Sequence, residues 1–415
     1  MLLKFNIANV FLLIFLLFQN CANDYFKPLH YDPPGSTNTS DKTIQFQHKR
    51  TIGFQNASLW VSNEFDGARL NDFFQVNDST YTAIINPENE PINNSAWYAF
   101  KIWSFKKQSV SIRLTYNNGD HRYHPKISKD RISWQRLDSL FYHPDTVNKS
   151  AELQLTVGPD TLWVAAQELL VSKDFDRKID NFAQYPFASK TLLGHSKMGK
   201  PIYKLDITEA DPVQGYVLII SRQHPPEVTG TLALFSFLET VCNDSELSRA
   251  FRKRFCVSAI PLMNPDGADN GHWRHNTGGV DLNRDWFSFN QPETRLARDV
   301  FLETANHEDK QVYLFLDFHS TQRDIFYTLD KNLKTIPDGF TDKWLNKIRQ
   351  AFPHYHLRER PSGTGSPVSK NWFYETFKAP SITYEVGDET DRQLIRQVAS
   401  GAAIAMMELL LEEIK

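Results

Sequence analysis

Two histidines and two glutamates of this sequence each come shortly after a run of apolar residues. His224 and Glu227 follow one such run with two prolines between them, and His319 and Glu385 each follow another run directly. Two imidazoles and one carboxylate are a common ligand set for a catalytic zinc ion, whose fourth position is held by water. The residue types therefore predict a zinc site, whereas the alternative for His319 is a buried histidine that is satisfied by hydrogen bonds.

These side chains can meet only if the apolar runs form neighbouring strands of one sheet. Four runs are typical of buried strands, at 216–220, 257–263, 312–318 and 381–384. Stretches with helical spacing lie between or after them, at 229–241, 293–302, 340–351 and 392–414. The alternation predicts an α/β fold with helices on both faces of the sheet. In open α/β sheets, sites lie at the carboxyl ends of strands. Pro261 within the second run is unusual for a central strand.

Five short motifs carry a resemblance to a known family. They are His224-Pro225-Pro226-Glu227, Asn264-Pro265-Asp266-Gly267, Asp281-Leu282-Asn283-Arg284, Asp317-Phe318-His319-Ser320 and Tyr384-Glu385. Through these motifs, residues from about 190 to 412 resemble the zinc carboxypeptidases related to carboxypeptidase A. The resemblance is strongest to the cytosolic-carboxypeptidase branch, which places a β-sandwich before a catalytic α/β domain with a mixed sheet.

The resemblance implies a role for each residue of the predicted zinc site. His224, Glu227 and His319 would hold one Zn²⁺ per chain, which would lower the pKa of its water and polarise the scissile carbonyl. Glu385 would take the proton of that water and pass it to the leaving amine.

The resemblance also implies how a peptide would be held. Arg274 would stabilise the oxyanion, since a fixed positive charge acts strongly in a dry site. Asn283 and Arg284 would bind the C-terminal carboxylate of the substrate, to which a guanidinium fork is suited. Asp281 would orient the ring of His224. For the two arginines, the alternative is an ordinary surface ion pair.

The sequence departs from the family at several positions. Pro226 stands where digestive relatives carry an arginine, and the family's mobile tyrosine has no clear match. Tyr374 is the nearest candidate for that tyrosine, although the run 371–374 is equally typical of buried aromatic packing. Lys370 lies where relatives carry the residue that selects the substrate side chain, and a cation there would favour an acidic C-terminal residue. The alternative is a solvated lysine.

The chain between about 45 and 170 has a different pattern from the rest. Short runs alternate between apolar and polar residues, and turn sequences such as Asn117-Asn118-Gly119-Asp120 separate them. This period of two predicts an antiparallel β-sandwich. Five tryptophans of this part could form a sugar-binding platform, but core packing is the commoner role: Trp60, Trp97, Trp103, Trp134 and Trp163.

The N-terminus is typical of an export signal. Lys4 precedes an unbroken apolar run at 10–18, which is too short to span a bilayer but suits a signal peptide. Cys21 follows in a context that resembles a bacterial lipoprotein, and it would then be the acylated first residue. Residues 22–44 hold several prolines and few aliphatic residues, which predicts a flexible tether.

Composition and length bound the remaining interpretations. The 415 residues suggest two or three domains, and a formal net charge of -3 argues against a nucleic-acid partner. Three cysteines are too few for a disulfide scaffold. We expect a signal peptide at 1–20, a tether at 21–44, a β-sandwich domain at 45–175 and a catalytic domain at 176–415.

The sequence as a whole predicts an exported zinc metallocarboxypeptidase that hydrolyses the C-terminal peptide bond of peptides. Membrane contact is expected only through the lipid anchor at Cys21. One alternative is a zinc amidase that acts on bacterial cell-wall peptides through the same site. Another is a surface lipoprotein that binds a ligand and has lost activity, although the presence of all four site residues argues against it.

Overall fold

The computed structural model describes residues 43–305 and 311–414. The predicted signal peptide, Cys21 and the predicted tether before residue 43 lie outside these ranges. Within them, 19 strands form three sheets of six, five and eight strands. The first two sheets come from the part of the chain before residue 166, and the third sheet comes from the part after residue 187.

The first two sheets are built from eleven short strands. In spatial order, the first contains β1 (Thr51–Phe54), β2 (Leu59–Ser62), β5 (Ala99–Ser104), β11 (Leu162–Ala165), β7 (Lys126–Ser128) and β8 (Gln135–Arg136). The second contains β3 (Asp72–Gln75), β4 (Thr80–Ile85), β6 (Gln108–Tyr116), β10 (Ser150–Val157) and β9 (Tyr142–Asp145).

Buried side chains of both sheets belong to one hydrophobic cluster. Along β4, for example, Tyr81, Ala83 and Ile85 are buried while the residues between them are partly exposed, as the period of two predicts. The prediction of purely antiparallel pairing is wrong for β4 and β6, which pair in parallel. The reason is that the chain passes through the first sheet as β5 before it returns as β6 beside β4.

The predicted tryptophans of this part are not alike in burial. Trp97 is buried within the cluster, and Trp134 and Trp163 are partly buried and pack against it. Trp60 is also partly buried, and its ring centroid lies 4.2 Å from that of Phe105. Core packing therefore describes Trp97, while Trp134 and Trp163 lie at the edge of the core.

The third sheet positions the predicted site. In spatial order it contains β12 (Ala188–His195), β13 (Pro201–Ile207), β15 (Phe255–Ile260), β14 (Gly215–Ser221), β16 (Gln311–Thr321), β19 (Ser381–Gly387), β17 (Ile325–Leu329) and β18 (Glu359–Ser362). The four central strands β15, β14, β16 and β19 are parallel, and antiparallel pairs lie towards both edges. Pro261 lies just beyond the last residue of β15, so it interrupts no central strand.

Helices cover both faces of this sheet. They are α1 (Ser172–Phe182), α2 (Val228–Cys242), α3 (Glu246–Arg252), α4 (Pro265–Asn270), α5 (Pro292–Ala305), α6 (Phe340–Ala351), α7 (Ser369–Phe377) and α8 (Arg392–Glu413). Along β14, Val217 and Ile219 belong to one hydrophobic cluster, whereas Leu218 and Ile220 belong to another. A strand that is buried on both faces has this alternation. The predicted α/β fold with a mixed sheet is confirmed.

The closing helix α8 is long and apolar enough to cross a membrane, judged by length and composition alone. Its apolar residues have a place in the core, because Ala402 and Met406 are buried in the same cluster as residues of α2. At its start, the Asp391 carboxylate accepts the backbone N–H groups of Gln393 and Leu394, each at 2.9 Å. The helix therefore packs as a core element with a capped N-terminus.

Candidate active site

The predicted site residues come together at the carboxyl ends of β14, β16 and β19. His224 and Glu227 lie between β14 and α2, and His319 lies near the end of β16. Glu385 of β19 stands directly opposite His319 in the strand register. One possible ligand atom from each of His224, Glu227 and His319 lies within 4.8 Å of the others.

The carboxylate of Glu227 joins the two imidazole rings. Its Oε1 lies 2.7 Å from His224 Nδ1, and its Oε2 lies 2.6 Å from His319 Nδ1. The other ring nitrogens face different carboxylates, since His224 Nε2 lies 2.8 Å from Asp281 and His319 Nε2 lies 2.8 Å from Asp317. Both rings therefore turn Nδ1 towards one shared space and are held in that orientation from behind.

This donor set fits a zinc ion. Two imidazole nitrogens and a carboxylate oxygen are typical zinc ligands, and a carboxylate behind a ligating histidine fixes its tautomer and orientation. Glu385 Oε2 is buried and has no hydrogen-bond partner among the described residues, so a polar atom beside the cluster is left for a ligand or water. Burial raises the pKa of Glu385 to about 7, and the charge of Glu227 adds to this effect while that of His319 opposes it.

Asp281 links Arg274 to the histidine cluster. Its Oδ2 accepts a hydrogen bond from Arg274 Nε at 2.7 Å, while its Oδ1 faces His224. Burial alone would raise the pKa of Asp281, but the charges of Arg274 and His224 hold it well below its usual range. Arg274 is therefore held within the site, with 11% of its side chain exposed, and the surface ion pair does not describe it.

Asn283 and Arg284 lie in a short turn beside the cluster. Asp281 caps this turn by accepting the N–H of Asn283 at 2.8 Å. The amide oxygen of Asn283 accepts the N–H of Ser369 at 2.9 Å, which ties the turn to the start of α7. Arg284 is partly buried and donates to the carbonyl of Asn283 at 2.8 Å.

The two candidates on α7, Lys370 and Tyr374, are both buried. Lys370 is only 2% exposed and donates to Asn371 Oδ1 at 2.9 Å, so the solvated-lysine alternative is wrong. Burial lowers the pKa of Lys370 to about 8. Tyr374 is buried beside Trp372 and Phe373, as expected for an aromatic run, and Lys378 Nζ lies 4.8 Å from its ring centroid. Its role in substrate binding stays a prediction.

Asp317 is a site residue to which the sequence analysis gave no role. Besides His319, its Oδ2 accepts a hydrogen bond from Gln223 Nε2 at 2.7 Å and another from Ser369 Oγ. The signal was present in the sequence, because residues two apart in a strand lie on the same face. Asp317 precedes His319 by two residues in β16 and therefore reaches the back of its ring.

Fold and site together define a metal-dependent hydrolase of the α/β class. The sequence model of the zinc carboxypeptidase family, peptidase M14, matches residues 176–400 of this chain. Because this range is more than half of the chain, the protein belongs to that family, whose members are zinc-dependent peptide hydrolases. The resemblance seen in the five motifs is thus confirmed, and so is the expected zinc cofactor.

Curated relatives share the family over different lengths. An uncharacterised protein of Zymomonas mobilis is 24% identical over 350 residues, which is 79% of this chain and 88% of that protein. Cytosolic carboxypeptidase 3 of Mus musculus is 24% identical over 65% of this chain and 30% of that protein. The chain therefore spans less than a third of the length of the mouse relative.

Solved structures share the fold beyond the family range. A metallo-carboxypeptidase from Burkholderia cenocepacia has a TM-score of 0.70 and 19% identity, over 85% of this chain and 98% of that one. A metallo-carboxypeptidase from Pseudomonas aeruginosa has a TM-score of 0.69 and 18% identity, over 86% of this chain and all of that one. The likeness therefore includes most of the N-terminal part as well as the catalytic part.

Proposed function

We propose that this protein is a carboxypeptidase that removes C-terminal residues from peptides by attack of water on the last peptide bond. The observation that carries the proposal is the cluster of His224, Glu227 and His319 beside the unpartnered Oε2 of Glu385. Zn²⁺ held by this cluster supplies Lewis acidity and lowers the pKa of a bound water.

The remaining groups of the site supply proton transfer and charge. Glu385 takes a proton from the attacking water on its carboxylate and delivers it to the nitrogen of the leaving amine. The guanidinium of Arg274 neutralises the negative charge that develops on the carbonyl oxygen. Asn283 and Arg284 bind the terminal carboxylate of the peptide, which selects the last peptide bond over internal ones.

A substitution of Glu385 separates metal binding from proton transfer. Glu385→Gln is expected to retain one zinc per chain and to lose at least about 100-fold in kcat, because the amide cannot accept the proton. Zinc content and release of C-terminal amino acids from a mixed peptide library are the measurements. His319→Ala is the matched control, since it should lose both zinc and activity.

The outcomes of this experiment distinguish the alternatives. Zinc binding without release from any ordinary peptide would overturn the proposal and direct the search to cell-wall peptides. Absence of both zinc and release from the wild-type protein would leave a ligand-binding protein as the better account. Equal activity of Glu385→Gln and wild type would contradict the role of Glu385.

We also propose an acidic C-terminal residue as the preferred substrate end. Lys370 supports this, because it is a buried cation whose ammonium donates to Asn371 Oδ1, and the charge of Asp330 acts on it without forming a salt bridge. Buried charges are usually paired, so an anionic ligand is a fitting partner. The backbone N–H of the neighbouring Ser369 donates a hydrogen bond to the side chain of Asn283. This contact brings the start of α7 beside the proposed carboxylate site.

The domain organisation and the localisation of the protein are further parts of the proposal. Residues 1–20 act as a signal peptide, Cys21 as a lipid-bearing first residue and 21–44 as a tether. Residues 45–175 form a β-sandwich domain, and residues 176–415 form the catalytic domain. Support for export comes from the apolar run at 10–18 that ends shortly before the cysteine.

A further inference from the structure

The segment that carries Arg274 has no regular structure of its own. Between the end of α4 and the short turn at Leu282, the described chain contains no helix or strand. Yet Arg274 and Asp281 of this segment must hold fixed positions beside His224. Contacts from elsewhere in the molecule must therefore immobilise the segment.

Glu88 makes three of these contacts. It lies between β4 and β5 in the N-terminal part of the chain and is completely buried. Its Oε2 accepts the backbone N–H of Trp273 at 2.7 Å, and its Oε1 accepts those of Arg274 at 2.9 Å and His275 at 2.7 Å. Three consecutive peptide groups centred on Arg274 are thus fixed by one carboxylate.

Neighbouring contacts hold the segment on both sides of Arg274. Asn89 Oδ1 lies 2.6 Å from His275 Nδ1, and Asn89 Nδ2 donates to the carbonyl of Gly279 at 3.3 Å. The indole of Trp273 is buried in the cluster of the N-terminal sheets and donates to the carbonyl of Trp97 at 3.1 Å. The segment therefore packs against the N-terminal part of the molecule.

The surroundings keep Glu88 in the charged form that accepts these bonds. Burial alone would raise the pKa of Glu88, but His272, His275 and Arg69 around it lower that pKa below its ordinary value, helped by the N–H of Trp273. A charged acceptor strengthens hydrogen bonds to backbone N–H groups. Replacement by a neutral side chain therefore removes charge as well as one acceptor.

We propose that Glu88 is a positioning residue of the peptidase, which holds the backbone at Arg274 so that its guanidinium lies where the reacting carbonyl oxygen develops charge. This inference rests on the proposed function of Arg274. It makes the N-terminal half of the molecule a part of the catalytic machinery, acting through the main chain of the segment from Trp273 to His275.

The principal test is Glu88→Gln in the purified full-length enzyme. Glutamine keeps the size of the side chain, but its amide group would face a backbone N–H donor. We expect kcat to fall about 10- to 100-fold, since small misplacements of a catalytic group have effects of this size. Zinc content should stay at one per chain and KM should stay within about twofold, because substrate binding by Asn283 and Arg284 is unaffected.

A double-mutant cycle shows whether Glu88 acts through Arg274. In an Arg274→Ala background, Glu88→Gln is expected to lower kcat by less than about twofold, because no guanidinium remains to be placed. If Glu88→Gln costs as much in that background as in the wild type, the positioning role is overturned.

Glu168→Gln is the matched control for general loosening between the two parts of the chain. Glu168 pairs with Arg392 Nε at 2.8 Å and with Arg392 Nη2 at 2.9 Å, so its ion-pair partner belongs to α8 and not to the segment of Arg274. We expect this variant to lower the stability of the protein without lowering kcat. An equal loss of kcat in Glu168→Gln and Glu88→Gln would overturn the inference.

Amide hydrogen exchange gives a readout that does not depend on activity. The N–H groups of Trp273, Arg274 and His275 should exchange faster in Glu88→Gln, and Asn89→Ala offers a second variant if Glu88→Gln does not fold. If the wild type is active and Glu88→Gln changes neither kcat nor the rate of amide hydrogen exchange, the role of Glu88 is refuted. A zinc-bound wild type that hydrolyses no peptide refutes the proposed function instead.

Discussion

Asp281 shows how a single carboxylate coordinates several parts of this site. One oxygen faces the ring of His224 and accepts the N–H of Asn283, and the other accepts a hydrogen bond from Arg274. His224, Arg274 and the turn at Asn283, for which we propose metal, oxyanion and carboxylate binding, are therefore held by one side chain. Because two cationic or potentially cationic groups face it, the carboxylate remains charged despite its burial.

Lys370 gives a prediction about specificity at the same scale. Lys370→Glu is expected to reverse the preference from peptides that end in an acidic residue to peptides that end in a basic residue. The expected change is at least about tenfold in the ratio of the two kcat/KM values, because a buried charge that faces a like charge is strongly unfavourable. Steady-state kinetics on peptide pairs that differ only in the last residue would measure it.

Two further variants make the result on Lys370 interpretable. Lys370→Gln should weaken the acidic preference without creating a basic one. Lys378→Glu changes an exposed lysine just after the same helix and should leave the profile unchanged. An unaltered substrate profile in Lys370→Glu would contradict the proposed role.

At the scale of elements, α2 packs against β16 beside His319. Ser320 of β16 accepts the backbone N–H of Gly230 at 2.8 Å and the hydroxyl of Thr229 at 2.9 Å. An added Cβ on Gly230 would lie 2.3 Å from the carbonyl oxygen of His319. The absence of a side chain at this point of the helix therefore allows the strand that carries His319 to lie close to α2.

Gly230→Ala tests this close packing. Alanine normally stabilises a helix relative to glycine, but here it overlaps with strand backbone that cannot move freely. We expect the free energy of unfolding to fall by about 1–3 kcal/mol and the affinity for zinc to weaken as His319 is displaced. Chemical denaturation and metal titration are the measurements.

Gly158→Ala is the control for the packing prediction, since a Cβ there would meet nothing within 4 Å. It should change the free energy of unfolding by no more than about 0.5 kcal/mol. Wild-type stability and zinc affinity in Gly230→Ala would show that the helix and strand adjust without cost.

The sequence predicted the elements whose signal is local. The apolar run at 312–318 lies within β16, and the helix expected at 340–351 is α6 with the same bounds. Partners that are distant in sequence were not predictable. Glu88 accepts a hydrogen bond from the backbone N–H of Trp273, which lies 185 residues later in the chain. No pattern within a single sequence predicts such a pairing. The parallel pairing of β4 with β6 also depends on a crossing through another sheet.

At the scale of the whole molecule, ion pairs join the N-terminal part to the strand end beside Glu385. Arg122 Nε lies 2.9 Å from Asp388 Oδ2, and these side chains are 11% and 7% exposed. Asp388 follows Glu385 by three residues and lies just beyond Gly387, the last residue of β19. The N-terminal part thus contacts the site at this strand end as well as at the segment of Arg274.

The proposed export and lipid anchoring of the protein give a prediction at this scale. If Cys21 carries lipid, the protein should fractionate with membranes and incorporate labelled fatty acid in a bacterial host. Cys21→Ser should lose the label and the membrane association, because a thioether-linked anchor can no longer form. Fractionation and labelling of both forms are the measurements, and zinc content and peptidase activity should be equal in the two. A fully cytoplasmic wild type would contradict export.

The position of Trp273 has a consequence for how the chain matures. Its ring is fully buried in the cluster of the N-terminal sheets, although it belongs to a much later part of the chain. Synthesis proceeds from the N-terminus, so the ribosome releases those sheets before this tryptophan exists. Their core is completed only when residue 273 arrives, and the same event brings Arg274 to Glu88. A chain that ends before residue 273 therefore leaves the space of a whole indole unfilled in that core, so the N-terminal sheets depend on a later part of the chain for their packing.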